Sequence, residues 1–375
     1  MESNKAPGPD SFTIHFFKVC WDIIKIDLLK MIQGFFGKSK IGGGINSTFL
    51  ALIPKEANPE TFGRFRSISL CNASYKILSK IMANRIKPLL DKLISNAQGG
   101  FIKGRHILDN IIQVQEAIHS SKQRKEKGML IKLDMANAFD KVNHSFLLQV
   151  LRSFGFSPQF IKLIKACISC PWISPMVNSR PTSFFQAHHR LRQGCPLSPF
   201  LYILMADSLS RKLAAEMNTG DLLGIRIANA LNPINHAFFA DDSILLGGAS
   251  TRIAINFDAV LKSYCRASGV VINDRKSSIF GWNMSQHNLN SIAQILGFEC
   301  FAQWDSIKYL GLPLTSGVNN RSLWHGIISK IKDKITSWGG YWLTKGGKII
   351  LLKSVLSTLP IYQASFLLAP KHIME

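Results

Sequence analysis

Two adjacent carboxylates, Asp241 and Asp242, interrupt an otherwise apolar stretch with the sequence HAFFADDSILL, from His236 to Leu246. Neighbouring residues of a regular strand point to opposite faces, so both acids can share one location only if the chain turns there. The pattern predicts a hairpin in which HAFF pairs with SILL and a tight turn carries Asp241 and Asp242.

A third carboxylate, Asp134, follows a second predicted strand from Met129 to Leu133. Carboxylates brought together repel one another unless a cation neutralises them, and hard cations such as Mg²⁺ prefer carboxylate and phosphate oxygens. Two such ions about 3.5 to 4 Å apart stabilise the attacking and leaving oxygens of a displacement at phosphorus. Asp134, Asp241 and Asp242 are therefore candidate metal ligands for nucleotidyl transfer, although an Asp-Asp turn alone is weak evidence.

The chain is strongly basic. Its 375 residues include 45 Lys and Arg against 23 Asp and Glu, a formal net charge of +22. Such a surplus suits nucleic acid, because each neutralised phosphate releases condensed counterions. We expect no membrane partner: the longest uncharged run, Ser354 to Pro370, has 17 residues and contains Pro360, whereas a span needs ~20 apolar residues.

The cysteines indicate a reduced, intracellular protein, because there are seven of them and no apolar secretory signal opens the chain. Cys167 and Cys170 form one C-x-x-C pair, with His188 and His189 downstream. A zinc site would need a second such pair or two histidines at H-x(3–5)-H spacing. Core thiols and solvated imidazoles are the expected alternative.

Local patterns predict the elements that position these acids. A strand is expected from Thr48 to Pro54, and Asn143 is expected to cap a helix over 145–154. Ser198, followed by Pro199, has the residue types of a cap and first turn, so a long buried helix is expected to begin there. Its free backbone amides would face the preceding loop.

The C-terminal part has a different pattern. GVVIN (269–273) and YLGLPL (309–314) are expected as strands, and helices follow from Ser322, with a boundary near Ser316. Because the strands and helices before that boundary do not follow simple βαβ order, the predicted class is α+β. An apolar stripe on the first of these helices is expected to face a core: Leu323, Ile327, Ile331, Ile335 and Trp338.

The motifs KLDMANAFDKV, RLRQGCPLSP and FADD follow one another along the chain as they do in reverse transcriptases. The chain resembles the reverse transcriptase region of a non-LTR, LINE-type retrotransposon polyprotein of the plant type. The resemblance runs from NKAPGPDSF through GGFIKGRHILDN and SGVVINDRKSSIF to KGGKIILLKSVLSTLPIY, which is nearly the whole chain. It also implies a truncated copy, because the chain begins inside the first motif.

This resemblance implies a right-hand polymerase fold with fingers, palm and thumb, an antiparallel palm sheet and a helical thumb. The implied fingers, with an N-terminal extension, span 1–128. The implied palm spans 129–315 and contains part of the fingers at about 145–190, and a partial thumb spans 316–375.

The resemblance also assigns roles to single residues. Asp134 and Asp241 match direct ligands of two metal ions, and Asp242 matches the second acid of the tip, with a less direct contribution. Lys276 matches a general acid that protonates departing pyrophosphate. The expected nucleotide-binding residues are Lys55 and Arg66 at the triphosphate, Phe139 under the sugar, and Gln193 with Gly194; the expected nucleic-acid contacts are Arg105 and the primer-gripping Tyr309, Leu310 and Gly311.

Several positions depart from the motifs that the chain resembles. Ser11 replaces a Gly, Ser67 replaces the Pro of FRPIS, and Cys195 replaces the Asp of RQGDPLSP. Gly99, Gly100 and Arg190 are also unusual. None of these removes an expected metal ligand, although Cys195 lies beside the expected nucleotide loop.

The expected function is RNA-directed DNA polymerisation, in which a primer 3′-hydroxyl is extended with dNTPs on an RNA template with two Mg²⁺ ions, or Mn²⁺ in their place. The expected partners are the RNA template, the DNA primer and dNTPs, and the implied location is the nucleus, with a cytoplasmic ribonucleoprotein stage. Two alternatives stay open: a catalytically impaired nucleic-acid-binding remnant, and a metal-dependent nuclease or phosphatase using the same acids.

Overall fold

Helices surround two β-sheets and also form the C-terminal part of the chain. The computed structural model describes residues 1–3, 5–187, 189–317, 321–338 and 343–371, without the side chains of 321 and 322. No helix of these residues is both long enough and apolar enough to cross a membrane. The helices are α1 (Ile14–Val19), α2 (Trp21–Lys38), α3 (Ala73–Ile86), α4 (Leu90–Leu93), α5 (Ile107–Gln123), α6 (His144–Ser153), α7 (Pro158–Ile168), α8 (Ser198–Asn218), α9 (Thr251–Ser268), α10 (Gln286–Leu296), α11 (Arg321–Ser337), α12 (Lys345–Ser354) and α13 (Ile361–Ala364).

The strands group into a central sheet, an N-terminal sheet and two small two-stranded ladders. They are β1 (Ser47–Pro54), β2 (Phe65–Cys71), β3 (Gly128–Leu133), β4 (Met135–Ala136), β5 (Trp172–Val177), β6 (Arg180–Pro181), β7 (Phe185–Gln186), β8 (His236–Phe239), β9 (Asp242–Gly248), β10 (Val271–Ile272), β11 (Ser278–Trp282), β12 (Glu299–Phe301), β13 (Ser306–Tyr309) and β14 (Leu312–Thr315). The mixture of sheets and helices confirms the predicted α+β class.

The central sheet has the strand order β12-β11-β3-β9-β8. Its middle strand, β3, contains Met129, Leu130 and Ile131, all fully buried, because both faces of the sheet are covered. An antiparallel sheet was expected, and β3 pairs antiparallel with β9 and β11, as β8 does with β9; β11 and β12, however, pair in parallel. The reason is that α10 connects them, and a helical crossover returns the chain in the same direction.

The predicted hairpin forms, with its turn one residue earlier than expected. Phe239 pairs with Asp242, so β9 begins at Asp242 and the two turn residues are Ala240 and Asp241. Ala240 has a left-handed backbone conformation, with φ of 57°. Asp242 therefore belongs to the strand and only Asp241 to the turn.

The N-terminal sheet is built on the β1–β2 hairpin. β1 pairs antiparallel with β2 and parallel with β5, and β6 and β7 each pair with β5. The strand β1 was predicted from the sequence, whereas β5 was not. Its partner β1 lies more than 100 residues earlier in the chain, so no local pattern signals the pairing.

The YLGLPL segment is a hairpin rather than the single strand that was expected. β13 ends at Tyr309 and β14 begins at Leu312. Leu310 and Gly311 between them have φ values of 49° and 87°, and two left-handed residues in succession make the kind of turn that joins adjacent antiparallel strands.

Two other expectations about helices are corrected. Asn143 caps α6 as predicted, accepting hydrogen bonds from the amides of Ser145 and Phe146, but Ser198 is the first residue of α8 rather than its cap. On α11 the predicted stripe does not face a core throughout: Ile335 is 52% exposed, and the buried residue is Trp324.

Gly128 provides a test of the central sheet. A methyl group at Gly128 would overlap the buried indole ring of Trp282 on the neighbouring strand, so Gly128→Ala should destabilise the protein by about 1–3 kcal/mol. Gly34→Ala on α2 is the matched control, because a methyl group at that position meets no atom within 4 Å. Replacing a glycine in a helix interior with alanine should stabilise the protein by up to ~1 kcal/mol. Urea unfolding followed by circular dichroism measures both, and equal midpoints for the two variants would contradict the described packing.

Candidate active site

A cavity of about 420 Å³ opens between the central sheet and the β1–β2 hairpin. We call it the central cleft. Seven of the residues predicted from the sequence line it, whereas Asp242 and Gly194 do not. The lining residues are Lys55, Gly63, Phe65, Arg66, Ser67, Asp134, Met135, Ala136, Asn137, Ala138, Phe139, Asp140, Gln193, Asp241, Asn273 and Lys276.

The register of the central sheet brings Asp134 and Asp241 to one end of neighbouring strands. Leu133, the last residue of β3, pairs with Ser243 of β9. Asp134 follows Leu133, and Asp241 lies in the turn just before β9, so both acids extend past the same end of the sheet. The 106 residues between them in the chain do not separate them in space.

The carboxylates influence one another electrostatically. The pKa of Asp241 is raised, first because the surrounding protein desolvates it and also because Asp134 repels its charge, while Arg66 acts in the opposite direction. The pKa of Asp242 is raised as well, by desolvation and then by repulsion from Asp241, with Lys132 opposing the shift. Both side chains still reach solvent, so a cation could approach and relieve the repulsion.

Among the described residues, no three His, Cys, Asp or Glu side chains are close enough to form a ready-made metal cage. The expected cluster of three carboxylates is thus reduced to two that line the cleft, Asp134 and Asp241. Two carboxylates fit Mg²⁺, which commonly takes one or two protein carboxylates and completes its shell with water and substrate phosphate. No zinc cluster forms around Cys167 and Cys170 either, and His188 lies outside the described residues.

Gln98 holds the turn that carries Asp241. Its side-chain oxygen accepts hydrogen bonds from the amides of Ala240 at 2.8 Å and Gly100 at 2.9 Å, and its amide nitrogen donates to the Ala240 carbonyl at 3.4 Å. Gln98 is 1% exposed. A methyl group at Gly100 would lie 2.6 Å from the Ala240 nitrogen, which explains the unusual glycine there. Sequence reasoning missed Gln98, because the contact spans 142 residues.

A second set of backbone hydrogen bonds holds Asp134. Its carbonyl accepts from the Asn273 amide at 2.8 Å, and its own amide donates to the Ser277 hydroxyl at 3.1 Å. The turn from Asn273 to Ser277 contains Lys276, which lines the cleft. The same turn therefore fixes the Asp134 backbone and places the predicted general acid beside it.

The wall beneath the carboxylates contains Phe139. Its ring stacks on the buried Tyr202 ring, with centroids 4.8 Å apart, and its carbonyl accepts from the Leu191 amide at 2.7 Å. The Gln193 carbonyl accepts from the Ser69 amide at 2.7 Å, which joins this loop to β2. Gly194 has φ of +105° and lies close to the Ser69 carbonyl, so a side chain there would be strained.

The opposite wall carries two cations at the end of the β1–β2 hairpin. Lys55 directly follows β1 and Arg66 is in β2, where it pairs with Ile53. The Lys55 ammonium donates to the Gly63 carbonyl at 3.0 Å. Arg66 is exposed to the cleft and lowers the pKa of Asp241, so the positive wall faces the acidic one.

Four predicted residues lie away from the cleft. Arg105 was expected to contact nucleic acid, but its guanidinium donates to the carbonyls of Ser95, Gln98 and Ile94 after α4; we assign it a structural role, because those donors are used. Tyr309 was expected to grip the primer, but its side chain is 2% exposed in the core. Only the Leu310–Gly311 turn of that motif is available on the surface.

Cys195 lies behind the nucleotide loop rather than in the cleft. It is 3% exposed, and its sulfur is 3.7 Å from the Tyr75 hydroxyl. The guanidinium of the buried Arg192 stacks over the Tyr75 ring at 4.0 Å. This departure therefore changes the packing beneath the loop and leaves the lining of the cleft intact.

The Gln98 clamp generates a stability prediction. Gln98→Met keeps the side-chain volume but leaves the amides of Ala240 and Gly100 without their acceptor in the interior, which should destabilise the protein by about 1–3 kcal/mol. Gln294→Met on the exposed face of α10 is the control and should change stability by less than ~0.5 kcal/mol. Thermal and urea unfolding of both variants measure the difference; a Gln98→Met protein as stable as the control would show that the clamp is unimportant.

Comparison with known proteins identifies the family. Residues 53–314 match the family model described as reverse transcriptase (RNA-dependent DNA polymerase). A 149 kDa protein of transposon TX1 from Xenopus laevis is 28% identical over 84% of the chain, and a Pol polyprotein of the retrotransposable element R2DM from Drosophila melanogaster is 23% identical over 84%. The chain covers 24% and 29% of those two proteins.

Among solved structures, telomerase from Candida albicans, in complex with a fragment of telomeric RNA, superposes with a TM-score of 0.46 and 11% identity, over 81% of this chain and 52% of that one. The family match covers more than half of the chain and contains every residue that we found in the central cleft. It confirms the prediction made from the sequence motifs: the chain belongs to the reverse transcriptase family.

Proposed function

We propose that the protein is an RNA-directed DNA polymerase of a non-LTR retrotransposon, which extends a primer 3′-hydroxyl with dNTPs on an RNA template. The observation that carries this proposal is the composition of the central cleft. Asp134 and Asp241 lie at one end of the central sheet and face a wall with Lys55 and Arg66. An acidic pair opposite a basic pair suits a metal-bound triphosphate.

Asp134 and Asp241 would hold Mg²⁺, or Mn²⁺ in its place, and Asp242 would contribute to the local negative charge from β9. When bound, the ions would supply charge neutralisation at the attacking and leaving oxygens. The raised pKa values of Asp241 and Asp242 support this role, because a site that destabilises its own ionised carboxylates gains most from a cation.

The other walls would bind and orient the nucleotide. Lys55 and Arg66 would bind the triphosphate, and their fixed charges would stabilise the negative charge that develops on the phosphoryl oxygens. The Phe139 ring, held by Tyr202, would lie under the sugar and exclude a 2′-hydroxyl, and Gln193 would contact the nucleotide from the loop before α8. Lys276 would donate a proton to the departing pyrophosphate.

The template and primer would bind through the excess of basic residues. The net charge of +22 supports sequence-independent phosphate contacts. We propose that the N-terminal sheet corresponds to the fingers, the central sheet to the palm and the C-terminal helices to the thumb, with the Leu310–Gly311 turn near the primer end. We propose that the protein carries out this polymerisation in the nucleus.

Primer extension tests the proposal. The protein should extend a DNA primer on an RNA template only with dNTPs and Mg²⁺ or Mn²⁺, and Asp241→Asn should lower the rate by at least about 100-fold, the scale on which one electrostatic contact to a transition state acts. Asp22→Asn on the exposed face of α2 is the matched charge control and should keep the rate.

Three results would contradict the proposal. Unchanged extension by Asp241→Asn would refute the site. RNA binding without incorporation under either metal would favour a catalytically impaired remnant. Cleavage of nucleic acid in the absence of dNTPs would indicate a nuclease.

The pKa shift of Asp241 predicts how pH and metal affect stability. Its folded-state pKa lies above the unfolded value of about 3.9, so stability is lost as pH rises from the unfolded pKa through the folded-state pKa. Asp241→Asn should therefore melt at a higher temperature than wild type at pH 7, with the gap closing below about pH 4.

Mg²⁺ should oppose this effect. At tenfold above its Kd, bound Mg²⁺ stabilises the wild type by about 1.4 kcal/mol and should leave Asp241→Asn unaffected. Differential scanning calorimetry with and without Mg²⁺ measures both effects. An equal Mg²⁺ response in the two proteins would place the metal elsewhere.

A further inference from the structure

Arg190 combines two features that are unfavourable individually. Its backbone φ is 115°, a conformation that residues other than glycine rarely adopt. Its side chain is buried, at 10% exposure, although it carries a charge. A strained backbone and a buried charge persist together only where the surrounding contacts require them.

Those contacts lead to the central cleft. The Arg190 guanidinium pairs with the Asp140 carboxylate at 3.0 Å and donates to the Ser67 hydroxyl at 3.2 Å. The Ser67 hydroxyl in turn donates to the Asp140 carboxylate, with distances of 3.1 and 3.3 Å to its two oxygens. Ser67 and Asp140 both line the cleft, and Arg190 lies behind them.

The position of this triad relates it to the nucleotide. Ser67 is the neighbour of Arg66 on β2, and Asp140 is the neighbour of Phe139. One guanidinium therefore links the segment expected at the triphosphate to the segment expected under the sugar. The ring of His144 donates to the Arg190 carbonyl at 2.9 Å, and Leu191 donates to the Phe139 carbonyl at 2.7 Å, which fixes the backbone on both sides.

The charges explain why a cation is needed there. The Asp140 side chain is 35% exposed and borders a cleft that, under the proposed function, receives a triphosphate. An unpaired carboxylate at that position would repel the triphosphate and compete for the Arg66 guanidinium. Arg190 neutralises it from behind, without occupying space in the cleft.

Ser67 and Arg190 also both depart from the motifs that the sequence resembles. They are 123 residues apart in the chain and are hydrogen-bonded to each other. Because each of them also contacts the Asp140 carboxylate, we interpret the three residues as one polar unit.

We propose that Arg190 is a positioning residue that sets nucleotide affinity and sugar selectivity, by neutralising Asp140 and by joining the Arg66 strand to the Phe139 segment. This inference rests on the proposed function. It assigns Arg190 no contact with the reacting atoms.

Steady-state kinetics on the full chain test it, with an RNA template, a DNA primer and either dNTP or rNTP. Arg190→Gln should raise the KM for dNTP about tenfold, the scale of one lost hydrogen bond to a charged group, with a much smaller change in kcat, and should lower the preference for dNTP over rNTP. Arg190→Lys should restore part of both losses. Adding Asp140→Asn to Arg190→Gln should return KM towards wild type, because the uncompensated carboxylate is gone.

Lys262→Gln is the matched control, because it breaks an ion pair with Asp258 on the surface of α9, and it should leave KM and selectivity unchanged. Folded Arg190→Gln with wild-type KM and selectivity would overturn the inference, and so would a double variant no better than Arg190→Gln. If Arg190→Gln does not fold, Arg190→Lys and Asp140→Asn decide the question by the same two readouts.

A separate measurement distinguishes failure of this inference from failure of the proposed function. If the wild type incorporates no nucleotide, the polymerase proposal fails, and equilibrium binding of a fluorescent mant-dATP then decides the role of Arg190. Weaker binding by Arg190→Gln than by wild type supports the positioning role. Equal binding overturns it.

Discussion

The placement of Asp134 and Asp241 together at one end of the central sheet is the constraint on which the rest of the structure depends. Desolvation, and then repulsion from Asp134, raise the pKa of Asp241, so the ionised carboxylate is unfavourable there. The backbone holds them there regardless. The β3–β9 register sets their separation, Gln98 fixes the Asp241 turn, and the Asn273–Ser277 turn fixes Asp134. The protein retains an arrangement that becomes favourable when a cation binds.

The charged residues around the cleft are arranged so that opposite charges lie on opposite walls. Lys55 and Arg66, which face the acids, belong to the separate N-terminal sheet, at the end of the β1–β2 hairpin. The central cleft of about 420 Å³ therefore lies between these cations and the carboxylates of Asp134 and Asp241. The one other carboxylate bordering that space, Asp140, is paired with a buried arginine. The other two acids that line the cleft, Asp134 and Asp241, form no ion pair with the described residues, and they are the ones for which a metal is expected. The same separation of charge suits a substrate that is itself a metal–polyphosphate complex.

The elements that the sequence predicted well are those with local signals. The HAFF and SILL pair, the strand before Asp134 and the Asn143 cap each depend on a few consecutive residues. The errors have physical causes: Ala240 adopts a left-handed conformation, which moves the turn by one residue, and the parallel pairing of β5 with β1 has no local signature. The contacts of Gln98 with Ala240 and those within the Arg190 triad could not be found from spacing, because the paired residues lie 50 or more positions apart in the chain. Tyr309 was misjudged because a motif match does not report burial.

The central claim is that Asp134 and Asp241 together form a divalent cation site beside a bound nucleotide. Anomalous diffraction from crystals containing Mn²⁺ and a non-hydrolysable dNTP tests it most directly. We expect manganese within about 2.0–2.6 Å of a carboxylate oxygen of each residue, and of a phosphate oxygen. Manganese bound elsewhere, or carboxylate oxygens of the two residues more than about 10 Å apart, beyond any shared pair of ions, would contradict it.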